Sequence, residues 1–229
     1  MVDTLSTASF KEAVGLYNVR KTQLKLVRAQ GYVIPEDEQK YVDLGARKFL
    51  DHYVNKAIDD ETTIRKTLCS VYTSEDDDDD RLVVSYADVV GTKQLGVNEV
   101  AQFVKDMDNH DTYKGIIISA NQMSSDANKN VDQLPTYDVQ FFMEKELTYN
   151  VVDHILVPKH EFMDLATSKA FMAKYGLSPD NLPNMFSKDP VCRYYNGKVG
   201  QIVKIYRTNI HNTSVVETIY YRMIIDKIK

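Results

Sequence analysis

Features that would mark a membrane protein, a secreted protein or a common catalyst are missing from this 229-residue chain. No long apolar run occurs, so no transmembrane span is expected, and 43% hydrophobic content suits a soluble globular protein. The opening Met1-Val2-Asp3-Thr4 lacks the basic-then-apolar pattern of a secretory signal. The two cysteines, Cys69 and Cys192, form neither a metal spacing nor a disulfide framework, which suits a reducing nuclear or cytosolic compartment. There is no glycine-rich phosphate loop and no Gly-x-Ser-x-Gly elbow. Asn212-Thr213-Ser214 fits a glycosylation acceptor but has no meaning without a secretory route.

A basic excess is missing too. The formal net charge is −5; residues 1–145 hold 17 basic and 25 acidic side chains, and residues 146–229 hold 11 and 8. A free-standing DNA-binding protein normally carries a basic footprint. This chain would need a larger partner to hold it near nucleic acid.

At this length there is room for one large or two small domains, each with its own core. Phe10, Ala13, Val14, Tyr17, Leu24 and Val27 fall at helical spacing, with Gly31 as a stop. Arg20, Lys21, Lys25 and Arg28 line a neighbouring face and read as solvated. Residues 36–57 read as a second helix, marked by Tyr41, Leu44, Phe49 and Val54. The acidic run Glu75 to Asp80 resists burial and reads as an exposed loop, without the glycine and spaced ligands of a calcium site. Beside a duplex such a loop is expected to face away.

A β-α-β pattern follows. Leu82–Tyr86 and Ile116–Ser119 read as parallel strands linked by a helix with Val97, Val100, Ala101, Val104 and Met107 on one face, and Asp138–Phe142 is a third strand. A metal-dependent nuclease on such a layer needs an acidic-x-Lys triplet on a strand. The only such triplet is Glu38-Gln39-Lys40, ahead of the first strand and in an expected helix.

Later in the chain, Asp189-Pro190 is a helix start, because a carboxylate caps free N–H groups and proline at the first helical position gives up only an unpaired one. Thr167 to Tyr175 reads as a short helix stopped by Gly176, and Ile202–Arg207 as a strand pairing with Ile219–Ile225. In the latter, Ile219, Tyr221, Met223 and Ile225 alternate with Tyr220, Arg222 and Ile224. His154 and His160 stand six apart with Pro158 between them, which prevents zinc ligation from one helix turn.

His154-x-Leu156-Val157-Pro158-Lys159-His160, Leu182-Pro183, Asp189-Pro190-Val191, Gly200-x-x-Val203-Lys204-Ile205-x-Arg207 and Tyr221-Arg222, in that order, resemble the C-terminal assembly domain of the fifth subunit of eukaryotic nuclear RNA polymerases. The archaeal counterpart of that subunit is essentially this domain alone. More weakly, the resemblance extends over nearly the whole chain. It implies an α/β N-terminal jaw domain with nuclease-like topology over 1–145, then a small mixed α+β assembly domain over 146–229. The implied function is that of a non-catalytic polymerase subunit in the nucleus, without cofactor or metal.

The resemblance further implies docking on the largest subunit and neighbouring small subunits, through His154, Pro158, His160, Leu182, Pro183, Asp189, Pro190, Arg193, Tyr194, Gly200, Gln201, Lys204, Arg207, Tyr221 and Arg222. Lys204, Arg207 and Arg222 are the charges expected on that surface, where Tyr and Arg are often combined. A jaw loop is implied to approach the backbone of downstream duplex DNA through Asn121, Gln122, Ser124, Ser125 and Lys129, without sequence preference. Two departures mark the loop: Ser125 stands where the family commonly has proline, and Asp126 replaces a serine. Near the last strand Val216-Glu217 stands where a basic pair is usual, and the connection from Arg207 to Arg222 is longer, which suggests a divergent lineage or a paralogue. An independent DNA-binding or nuclease-like protein sharing the fold is the alternative.

Overall fold

The computed structural model describes residues 7–89, 91–211 and 214–226, with side chains described for 14–89, 91–207 and 218–226. The chain divides into two compact units, Met1–Tyr149 and Asn150–Lys229. The N-terminal unit opens with four helices, α1 (Thr7–Ala29), α2 (Glu36–Asp43), α3 (Ala46–Asp59) and α4 (Ile64–Thr67). A four-stranded sheet follows, β1 (Ser70–Thr73), β2 (Arg81–Ala87), β3 (Lys114–Ser119) and β4 (Asp138–Met143), in that spatial order. The β1–β2 pair is antiparallel, and β2–β3 and β3–β4 are parallel. Helix α5 (Val97–Asn109) crosses from β2 to β3, and α6 (Ser125–Asp132) from β3 to β4.

The expected β-α-β layer is therefore present, and β1 adds an edge strand to it. Val100, Phe103 and Met107 of α5 form a core with Val83 and Ile117. Gly115 lets this helix approach: a Cβ there would meet Phe103 Cζ at 2.5 Å and Met107 Sδ at 2.8 Å. The acidic run is the β1–β2 connection. Glu75 to Asp79 are exposed, whereas Asp80 forms an ion pair with Lys114 at 2.7 Å.

Two expectations for the N-terminal helices are corrected. The stretch 36–57 is two helices, because Gly45 takes φ +88°, a left-handed conformation that ends α2 and caps α3. Arg20 is not on a solvated face. It is 1% exposed, while Lys21, Lys25 and Arg28 are exposed. α1 is buried well beyond one stripe, since Val19, Thr22, Gln23, Leu24, Leu26 and Val27 are also covered. The Arg20 guanidinium donates to Leu68 O (2.9 Å), Gln23 Oε1 (2.8 Å) and Ser70 Oγ (3.0 Å) and pairs with Glu38 (2.7 Å). Ser70 and Tyr72 donate to the same carboxylate at 2.6 and 2.8 Å. This network ties α1 and α2 to β1. Phe10 and Ala13, expected on the apolar face of α1, lie outside the described side chains.

The C-terminal unit contains β5 (Lys159–Phe162), α7 (Leu165–Tyr175), β6 (Asn184–Phe186), α8 (Pro190–Tyr194), β7 (Ile202–His211) and β8 (Ser214–Ile225). The sheet order is β5-β7-β8-β6, with β6 parallel to β8 and the other neighbours antiparallel. α8 starts as read: Asp189 Oδ1 accepts from Val191 N at 2.9 Å, and Pro190 is the first helical residue. α7 stops at Gly176, whose φ is +62°. The β7–β8 hairpin extends beyond the expected strands, with Ile202 opposite Met223 and His211 opposite Ser214. Val216 and Glu217 consequently lie inside β8 rather than before it; their side chains, and Asn212-Thr213, are outside the described residues.

Alternation gives this sheet two distinct faces. Val203, Ile205 and Ile224 join Met185, Val191 and Cys192 in one core. On the opposite face Ile202 and Met223 join Met163, with Phe171, Met172, Leu182 and Tyr221 against them.

Candidate functional site

In the N-terminal unit the expected nucleic-acid residues lie where β3 ends and α6 begins. Loops leaving the carboxyl ends of adjacent parallel strands commonly frame a binding crevice. Here the loops after β2 and β3 are stitched together. Leu95 and Met123 form a parallel bridge, and Asn121 Nδ2 donates to Gly91 O (2.8 Å) and Lys93 O (2.9 Å). Ser124 caps α6, its Oγ accepting from Ala127 N at 3.2 Å. Both side chains thus shape the loop, and Gln122, Ser125, Asp126 and Lys129 are left facing solvent.

Ser125 is the first residue of α6, the position that proline suits because its fixed φ is already helical and its absent N–H is no loss. Asp126 follows in the first turn, where a carboxylate favours the positive end of the helix. It therefore occupies the electrostatic position that an incoming phosphate would use. The nearby cations are also engaged, Lys129 with Asp126 at 3.9 Å and Lys93 with Glu99 at 2.9 Å. Among the sheet's four strands Asp138 is the sole carboxylate, and Glu38 of the acidic-x-Lys triplet is held in the Arg20 network on α2.

In the C-terminal unit the structure gathers Pro158, His160, Asp189, Arg207 and Arg222 around one pocket of about 210 Å³, completed by Leu156, Val157, Met185, Val191 and Ile205. Register explains the grouping. His160 lies opposite Ile205 and Arg222 opposite Val203, all on the face whose core includes Val203 and Ile205. Arg207 lies on the same face, two residues beyond Ile205, with its guanidinium carbon 4.9 Å from the centre of the Tyr220 ring. His160 Nδ1 is 2.7 Å from Pro158 O and donates to it, which leaves Nε2 as the second nitrogen of the imidazole. Burial pushes His160 below the ordinary imidazole range. Arg222 and Arg207 act in the same direction, against the Pro158 carbonyl and Asp189.

Lys204 is not part of this grouping. It faces the other side, where its Nζ is 2.7 Å from Glu161 Oε1 and Tyr206 OH donates to Oε2 at 2.6 Å. Leu182 and Tyr221 support the core on that side, and Pro183 O accepts from Met223 N at 2.9 Å. Gly200, with φ +91°, donates to Ile224 O, and the Gln201 side chain accepts from Lys198 N at 2.7 Å. Tyr194 is buried, its hydroxyl accepts from Asn150 Nδ2 at 3.3 Å, and burial pushes it up to about 12. Pro190 starts α8 and Arg193 lies in its last turn. His154 is exposed and its Nδ1 accepts from Leu156 N at 3.2 Å. Many of the motif residues therefore build the unit, while His154, Pro183, Pro190 and Arg207 are exposed and His160 and Arg222 are half-buried. Sequence reading missed Ile155 and Leu156, which are 94% and 83% exposed. Their signal is an apolar run, Ile155-Leu156-Val157, that precedes β5 and joins no strand or helix.

Comparison with known families matches residues 149–224 to the RNA polymerase Rpb5 C-terminal domain. A curated relative, the DNA-directed RNA polymerases I, II, and III subunit RPABC1 of Caenorhabditis elegans, is 28% identical over 197 residues, covering 86% of this chain and 90% of the relative. The chain is Rpb5-like. The corresponding subunit of Dictyostelium discoideum is 27% identical over 195 residues, covering 84% of this chain and 89% of the relative. The DNA-directed RNA polymerase V subunit 5A of Arabidopsis thaliana is 24% identical over 209 residues, 90% of this chain and 88% of the relative. Residues 69–150 match a family described as restriction endonuclease, which covers the whole four-stranded sheet of this Rpb5-like chain. The Rpb5 C-terminal match takes in every residue lining the C-terminal pocket.

Proposed function

We propose that this Rpb5-like chain is an accessory, non-catalytic subunit of a nuclear DNA-directed RNA polymerase, docked on the largest subunit through its C-terminal unit, with its jaw beside downstream DNA. The observation that carries the docking reading is the exposure of Ile155 and Leu156 beside Arg207, Arg222 and the half-buried His160. Apolar side chains left in water next to arginines are typical of a surface that another protein covers. The jaw contact is to DNA backbone, without sequence preference, through Gln122, Ser125 and Lys129. It is weak by itself because Asp126 neutralises Lys129 and few counterions can be released. In the assembled enzyme the other subunits supply the effective concentration.

The restriction-endonuclease match supports a second reading, a nuclease sharing the fold. Against it stand the lack of an acidic-x-Lys triplet on the sheet and the engagement of Glu38 by Arg20, Ser70 and Tyr72. Affinity purification of the tagged chain separates the two. A subunit brings down the large polymerase chains and shows no Mg²⁺-dependent cleavage alone; a cleaving protein free of polymerase refutes the proposal. Asp126→Ser should lengthen elongation-complex lifetimes slightly and leave nucleotide addition unchanged. Tight, sequence-selective gel shifts by the isolated chain would instead favour an independent DNA-binding protein.

A further inference from the structure

The C-terminal pocket has a chemistry of its own. Two arginines from adjacent strands, Arg207 and Arg222, open onto it, and among the described residues neither guanidinium has a hydrogen-bond or ion-pair partner. Stacking on Tyr220 orders Arg207 without consuming its N–H donors. The opposing charge in the pocket is Asp189, and one of its oxygens is committed to Val191 N at the start of α8. Burial and both arginines disfavour the charged form of His160. The remaining lining, Leu156, Val157, Pro158, Met185, Val191 and Ile205, is apolar. At about 210 Å³ the space suits one side chain rather than a helix or a nucleotide.

We propose that this pocket receives an aspartate or glutamate side chain, flanked by an apolar residue, from the polymerase subunit on which the C-terminal unit docks. The inference rests on the docking reading above and adds the chemistry of the contact. A carboxylate takes paired N–H donors from a guanidinium, and here two planar forks line one pocket together with six apolar side chains. The flanking apolar residue covers Leu156 and Ile155, which otherwise remain in water. A protein carboxylate is favoured over a nucleic-acid phosphate because surfaces for nucleic acid are more polar and more uniformly basic than this one.

The test uses the full-length chain expressed with the polymerase. Wild type, Arg207→Glu/Arg222→Glu and Arg207→Lys/Arg222→Lys are compared for the amount of largest subunit recovered at fixed salt. The glutamate pair should lower recovery on the order of 30-fold or more, because like charges then meet in a desolvated contact, with the lysine pair in between. Undiminished recovery with the glutamate pair overturns the pocket proposal while leaving the subunit reading intact. Failure of wild type to recover the polymerase overturns both. Should the glutamate pair misfold by circular dichroism, Arg207→Glu alone, on an exposed residue, decides by the same criterion. In parallel, a photo-crosslinking amino acid at position 156 should label a peptide with Asp or Glu beside an apolar residue. Labelling of nucleic acid, or of a segment without a carboxylate, overturns the proposal.

Discussion

At the level of single side chains, Arg20 links helices to sheet in the N-terminal unit because it bridges Leu68, Ser70, Gln23 and Glu38. Its Nε is buried without a partner among the described residues, so the fork is fully committed through its other two nitrogens. Arg20→Ala leaves Glu38 and two hydroxyls facing a hole, and should cost about 3–5 kcal/mol, read as a lower urea midpoint. Arg20→Lys should recover only part, since one ammonium cannot span those acceptors; a wild-type midpoint in Arg20→Ala would show that the network is dispensable. His160 gives a pH dependence. Burial holds it below the ordinary imidazole value, so as pH falls the unfolded chain takes up this proton first. The stability it contributes is complete above the unfolded value of about 6.5 and is lost as pH drops through the lower folded value. His52 is shifted the same way, by burial and Lys56. Melting temperature should therefore fall on acidification, and less steeply in His160→Gln than in wild type. An identical slope in the two would sink this assignment.

Among elements, the contact of α5 with β3 is set by one glycine. Phe103 and Met107 are 3% and 0% exposed, so neither can swing aside from a Cβ at Gly115. Gly115→Val should destabilise by about 1–3 kcal/mol through overpacking, measured by denaturant unfolding. A neutral result would mean that the helix is free to shift. The split between α2 and α3 has an equally local cause at Gly45, and that cause was legible: apolar marks on either side suggested one helix, but the glycine between them was the signal for two.

For the molecule as a whole, two units with separate cores suggest separable roles. Residues 146–229 expressed alone should still enter the polymerase, since the whole pocket and its arginines lie within them. The measurement is co-purification of the tagged fragment with the largest subunit. Its absence from an enzyme that does take up the full chain would place essential docking contacts in the N-terminal unit.

Residue order by itself determined the β-α-β layer, the start of α8 at Asp189-Pro190, the stop of α7 at Gly176 and the alternation of β8. Each depends on near neighbours: a cap, a fixed or positive φ, or a period of two. The family was legible for the same reason, as short motifs in a fixed order. Only the tertiary structure decided that Arg20 is internal, because acceptors come from α2, the end of α4 and β1, up to 50 positions away in the chain. Likewise it placed Arg222 of β8 on the Arg207 face of β7 rather than on the Lys204 face. Which charges share a surface is set by strand register across a sheet, which a list of motif residues does not contain.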